Sequence, residues 1–154
     1  MRLDLSFQAH FPQPIEQVWG VLTDSRMLAR WLMENDFEPR VGKRFTLRSA
    51  APGYRGWIEC EVLALQAPLR MVWSWSMGDE EDSPTRVIFE LRSESGGTHL
   101  HVRHTGTLSA ADGEMVQHRW PAKMAALAEL LKAGTARSVV DLVNDKHPGS
   151  EENT

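Results

Sequence analysis

The sequence predicts an α+β domain in which a curved antiparallel β-sheet of about six strands wraps around a long C-terminal helix, with two short helices after the first strand. Three observations carry that expectation. Apolar and polar residues alternate at the start of the chain and again through its middle, the period of half-buried strands. Between those stretches, from Pro14 to Leu32, apolar residues recur every three or four positions, the period of a helix face. The helical period returns near the C-terminus as a single long run, with Val116, Trp120, Met124, Leu127 and Leu131 spaced by four, four, three and four.

From Arg2 to His10, Leu3, Leu5, Phe7 and Ala9 fall on one face and Asp4, Ser6, Gln8 and His10 on the other, so this is the first strand. Pro12 and Pro14 end it, and Pro14 fits the first turn of a helix, where its missing N–H costs nothing. Ile15, Val18, Trp19 and Leu22 then make one apolar stripe, giving a short helix to about Thr23. Asp24 caps a second helix, its carboxylate accepting from N–H groups two and three residues on. That helix turns Met27, Leu28, Trp31 and Leu32 inward.

From Val41 to Gly106 the period is two, punctuated by turn signals at Pro52-Gly53, Gln66-Ala67-Pro68 and Ser95-Gly96-Gly97. Phe45 and Leu47 share a face, as do Ile58, Cys60 and Val62, then Met71, Trp73, Trp75 and Met77, then Val87, Phe89 and Leu91, and finally Leu100, Val102 and His104. The last helix spans about Ala110 to Lys132, roughly 33 Å at 1.5 Å per residue. Pro121 inside it should kink it or mark where its regular part begins, and Gly134 reads as its stop. Residues 1–134 are thus expected to form one domain, and 135–154 an extension holding one further helical turn, at Ser138 to Val143, before a polar tail.

With 154 residues, 42% hydrophobic, the chain has room for one ordinary core and not for two. A net charge of −4 lacks the basic footprint of a nucleic-acid binder. The single cysteine, Cys60, excludes an internal disulfide and a multi-cysteine metal site. Asp4 interrupts any signal-like start, and no apolar run approaches the ~20 residues that span a bilayer. A cytoplasmic protein is expected, with no membrane or nucleic-acid partner and no cofactor or metal; whether it pairs as a homodimer is left open.

The order of elements, and local motifs within them, resemble the START-like (SRPBCC) superfamily with its helix-grip fold. The branch they resemble is the one related to activators of the 90-kDa heat-shock chaperone's ATPase. The residues that carry this resemblance are Pro14 to Trp19 with Leu22-Thr23-Asp24, Trp31-Leu32, Val41 to Phe45, Gly56 to Val62, and Pro68 to Trp75. They continue with Gly96 to Leu100, His104-Thr105-Gly106, and Trp120 with Met124 and Leu127, so that roughly Leu3 to Leu131 is covered. Two positions depart from the family pattern. Gly42-Lys43 stands where two glycines are usual, and Arg119 stands where a glycine commonly precedes the tryptophan, putting a long cation near the expected pocket mouth.

The in-facing set Phe45, Ile58, Cys60, Trp73, Trp75, Phe89 and His104 would confront Trp31, Trp120 and Met124 across the groove, and the sequence leaves open whether these side chains line a space or fill it. His104 is the polar residue of that face, positioned to touch a ligand or to be held by a neighbour. His99 and His101 lie on the opposite face, where no carboxylate or cysteine completes a metal set. Glu59 and Glu61 read as a solvated face, and Asp79 to Asp82 as an acidic hairpin tip without the pattern of a calcium loop. Cys60 should be a small hydrophobe with a raised thiol pKa.

No triad order, P-loop, dinucleotide fingerprint or H-E-x-x-H motif occurs. The first functional expectation is therefore a non-catalytic module that binds a hydrophobic small molecule, lipid-like, polyketide or aromatic. The ligand would enter between the Met27 to Trp31 helix and the final helix, oriented by His104 or Arg119. The alternatives are a small cyclase- or hydrolase-like enzyme working through His104, His118 or Arg119 in the same groove, and the chaperone-regulating interaction domain that the resemblance implies. The last is weakened by the absence of the extra N-terminal domain of eukaryotic activators.

Overall fold

The computed structural model describes residues 1–49, 57–77 and 84–144, with side chains described as far as Gly134. The alternating start forms β1 (Arg2–Phe11), and α1 (Ile15–Leu22) and α2 (Ser25–Trp31) follow. Pro14 is the N-cap of α1, one position ahead of the first turn, with an extended backbone at φ −67° and ψ 157°. Asp24 caps α2 through its carboxylate, which accepts from the N–H groups of Arg26 at 2.8 Å and Met27 at 3.2 Å. Next come β2 (Glu34–Asn35), β3 (Arg44–Arg48), β4 (Trp57–Gln66), β5 (Arg70–Ser76), β6 (Thr85–Glu94), β7 (Gly97–Thr107) and α3 (Ala110–Asn144).

All seven strands join one antiparallel sheet in the order β1-β7-β6-β5-β4-β3-β2. The strand beyond the six expected is β2, too short to show alternation. Its residue Asn35 is held by side-chain bonds: Nδ2 donates to the carbonyls of Ser25 and Met33, and Oδ1 accepts from the Ser25 hydroxyl. The start of α2 is thereby bracketed to the sheet edge. In β4 a bulge between Val62 and Ala64 shifts the alternation by one residue, so that Leu63 is exposed while Leu65 packs against the core.

The helix α3 runs on through Pro121 and past Gly134 to Asn144. Pro121 lies on the exposed side, where water can take the carbonyl bond its ring forfeits, and a glycine inside a helix costs only about 1 kcal/mol relative to alanine. The turn expected at Pro52-Gly53, the acidic tip at Asp79 to Asp82 and the tail from 145 onward lie outside the described residues.

One face of the sheet and one stripe of α3 make the core. Phe45, Ile58, Cys60, Val62, Met71, Trp73, Trp75, Phe89 and Val102 are all buried, as are Val116, Trp120, Leu127 and Leu131 of the helix. β1 and β7 pair along ten positions, from Arg2↔Thr107 to Phe11↔Thr98, which brings the chain's first strand beside its last.

Candidate functional site

His104 stands on β7 opposite Leu5 of β1 and Val87 of β6, with no exposed surface. The indole N–H of Trp120 lies 3.0 Å from its Nδ1, and indole can only donate, so Nδ1 is the acceptor and the ring proton is on Nε2. That N–H donates to the Thr85 hydroxyl at 2.7 Å, and the hydroxyl in turn donates to the carbonyl of Trp75 at 3.2 Å. The result is a closed chain from helix to sheet, Trp120 to His104 to Thr85 to Trp75. Burial pushes the His104 pKa down to about 3, so the ring is neutral. Both nitrogens are occupied.

This relay depends on a close backbone approach. Gly106 has φ +138°, and a Cβ there would come within 2.7 Å of Thr85 Cγ2, so glycine is what lets β7 lie against the threonine.

A second cluster fills the other half of the concave face. Trp73 meets Phe89, Phe45 and Phe37 with ring centroids 4.8, 5.1 and 5.7 Å away. Its indole N–H has no hydrogen-bond acceptor among the described residues. Phe45, Ile58, Cys60, Trp73 and Phe89 thus sit in packed core. The Cys60 thiol is pushed well above its ordinary pKa, first by burial and then by the nearby Glu59 charge, and is no nucleophile.

Space is found instead where α2 meets α3. An inner cavity of ≈ 10 Å³ is walled by Leu32, Met33, Trp75, Val116, Arg119, Trp120 and Lys123, room for about one water. It shares Arg119 and Lys123 with an outer cleft of ≈ 360 Å³ lined also by Trp31, His118, Ala122 and Ala126. Trp75 and Trp120, ring centroids 6.1 Å apart, both line the inner cavity. Lys123 donates to the carbonyl of Leu32, the C-cap of α2, at 2.6 Å, tying α3 to the end of the shorter helix. Trp31 is fixed behind it by its N–H on the Val21 carbonyl at 3.4 Å.

Of the side chains singled out in the sequence, the structure therefore brings Trp31, Trp75, His118, Arg119 and Trp120 to this cleft, and the half-buried Met124 follows one residue after Lys123. Leu32, Met33, Ala122, Lys123 and Ala126 were not singled out for it. Lys123 had a signal, being four residues after Arg119 on the same helix face. Leu32 was read only as an inward residue of the second helix, and Met33 had no signal, because it lies just past the end of α2 and lines the cavity only through tertiary packing.

A larger depression, ≈ 590 Å³, lies where the start of α1 meets the β6–β7 hairpin, but its walls are Pro14, Ile15, two glutamates, two serines and two glycines. It lacks an apolar floor. On the outer sheet face His99 lies 2.9 Å from the Gln8 side chain and His101 2.6 Å from the Ser6 hydroxyl, each reaching across to β1. Glu61 lies 3.7 Å from Arg44 there. Among the described residues no cluster of three or more His, Cys, Asp or Glu side chains forms a metal set, and no helix is long and apolar enough to cross a membrane.

An antiparallel sheet gripping one long helix, entered through two short ones, defines a helix-grip domain of the START-like (SRPBCC) superfamily. Within that class the chain belongs to the family described as Activator of Hsp90 ATPase homolog 1-like protein, whose model matches residues 12–132. No curated protein matches the chain. Among solved structures it is similar to a protein from Mesorhizobium loti, at 27% identity and a TM-score of 0.76 over 84% of this chain and 97% of that one. A Bacillus halodurans protein is similar at 28% identity and a TM-score of 0.68, covering 84% and 98%. The Aha1 dimer from Colwellia psychrerythraea shares the fold at 16% identity and a TM-score of 0.73, covering 84% and 96%.

Proposed function

We propose that this protein is a non-catalytic binding module that takes an apolar small molecule in the cleft between α2 and α3. The observation that supports the reading is an open cleft of ≈ 360 Å³ beside a small cavity walled in part by Trp75 and Trp120, the two spaces sharing Arg119 and Lys123. A space of this volume is at the lower end of what small-ligand sites occupy, and removal of apolar ligand area from water, at roughly 25 cal/mol per Å², supplies the driving force. The packed interior argues for a ligand seated at the mouth, with deeper entry requiring Trp120 to move. The occupied nitrogens of His104 argue against acid–base chemistry by that residue and leave the relay as scaffold.

The test is a panel of ten-carbon ligands, 1-decanol, decanoate and decylamine, titrated against tryptophan fluorescence and calorimetry, beside native mass spectrometry of the purified protein. At least one member is expected to bind saturably at one site, unchanged chemically on recovery, and an Ala126→Trp variant that fills the cleft is expected to abolish binding while keeping the wild-type circular dichroism. Absence of saturable binding by every member, or binding that survives the filled cleft in a folded variant, overturns the reading. The family description supports a second reading, stimulation of an Hsp90-type ATPase. It would use surface, and Ala126→Trp would leave that stimulation intact.

A further inference from the structure

We infer that the outer face of the sheet carries a second binding site, built on Trp57, for an uncharged sugar ring. β3 and β4 turn four side chains outward as the corners of a square: Arg48 stands directly opposite Trp57, and Thr46 directly opposite Glu59. Side chains so paired stand about 5 Å apart at Cβ, and successive outward residues of one strand about 7 Å apart. The four line an open depression of ≈ 360 Å³. Phe45, Leu47, Ile58 and Cys60, which alternate with them, are buried on the other face, so the sheet itself separates this depression from the cleft between α2 and α3.

Trp57 is 52% exposed, and it is the one exposed tryptophan or phenylalanine among the described residues. A ring placed there contributes little to the core and leaves in water an apolar face that a ligand can cover. Its N–H donates to Glu59 Oε2 at 3.3 Å, which ties the indole to the next outward residue of its own strand.

The groups around the ring decide the class of ligand. Arg48 brings a planar fork of N–H donors, Glu59 brings a carboxylate with a second oxygen beside the one that takes the indole, and the Thr46 hydroxyl can donate or accept. A cation meets the Arg48 charge and an anion meets the Glu59 charge, each an unfavourable approach. A pyranose ring suits both. Its C–H face rests on the indole, and its hydroxyls accept from Arg48 and donate to Glu59 without a net charge of their own.

The test is NMR of the indole N–H signals, with the Trp57 signal assigned by its absence in Trp57→Phe. The probes are three neutral disaccharides, cellobiose, lactose and maltose, and the monosaccharides glucose, glucuronate and glucosamine. At least one disaccharide is expected to shift the Trp57 signal saturably, with a dissociation constant of about 1–10 mM. Glucuronate and glucosamine should bind more weakly than glucose, and raising the salt should leave disaccharide binding nearly unchanged. Trp57→Ala is expected to weaken disaccharide binding at least tenfold by saturation-transfer NMR while keeping its affinity for the ten-carbon ligands. Ala126→Trp should do the reverse, so the two sites stand or fall separately. Absence of a saturable Trp57 shift with all three disaccharides, or disaccharide binding that survives Trp57→Ala, overturns the site. Tighter binding of glucuronate or glucosamine than of glucose overturns the assignment to an uncharged ring. Should Trp57→Ala fail to fold, the wild-type shift and the order of the three monosaccharides decide the matter.

Discussion

Protonating His104 requires its Nδ1 to release the Trp120 N–H, inside a core that holds its pKa at about 3. In the unfolded chain a histidine titrates near 6.5, so between those values the unfolded state binds more protons. The stability tied to neutral His104 is therefore present in full above about pH 6.5 and is lost as pH falls toward 3, by at most about 1.4 kcal/mol per pH unit. Urea unfolding at pH 7 and pH 4.5 should show a drop for the wild-type protein that exceeds that for His104→Gln by about 2 kcal/mol. Equal drops would mean that the ring is charged, or wet, in the folded state. Alternation alone placed His104 on the inner face with Leu100 and Val102. Its partners were illegible, since Thr85 and Trp120 lie 19 and 16 residues away in sequence and meet it only across the sheet and from the helix.

At the scale of elements, α2 is the part on which the cleft depends. It is 7 residues long, too short to be stable by itself, and is held by the Asp24 cap at one end and by Lys123 on the Leu32 carbonyl at the other. Asp24→Ala is expected to cost about 1 kcal/mol in chemical denaturation. It should also loosen Trp31, read as faster amide exchange across 25–33 with β5 to β7 unchanged. A loss of protection spread evenly over the molecule would refute that local role. The cap was legible, because a carboxylate ahead of an apolar helical stripe has one obvious use. The bulge in β4 and the strand β2 were not. The first is a register slip that alternation hides, and the second is two residues held by side chains of Ser25 and Asn35.

Across the whole molecule, the buried apolar side chains among the described residues run from Leu3 to Leu131, and β1 closes onto β7. Residues 1–134 are accordingly proposed as the folding unit. A chain ending at Gly134 is expected to unfold in one cooperative step with Tm within about 4 °C of the full chain, the shift that roughly 1 kcal/mol produces at this size. Loss of the cooperative transition would place part of the core beyond Gly134. By itself the sequence determined the class of fold, the order of its strands and helices but for the two-residue β2, and the inward face of nearly every strand, because periods of 2 and 3.6 are local properties written along the chain. It also showed Arg119 as a cation near the expected mouth. Whether the tryptophans enclosed a space or filled it was decided only by tertiary structure, since voids depend on how facing side chains interdigitate across distant elements. That packing seats Trp73 among phenylalanines, engages both nitrogens of His104, and leaves room where α2 ends against α3.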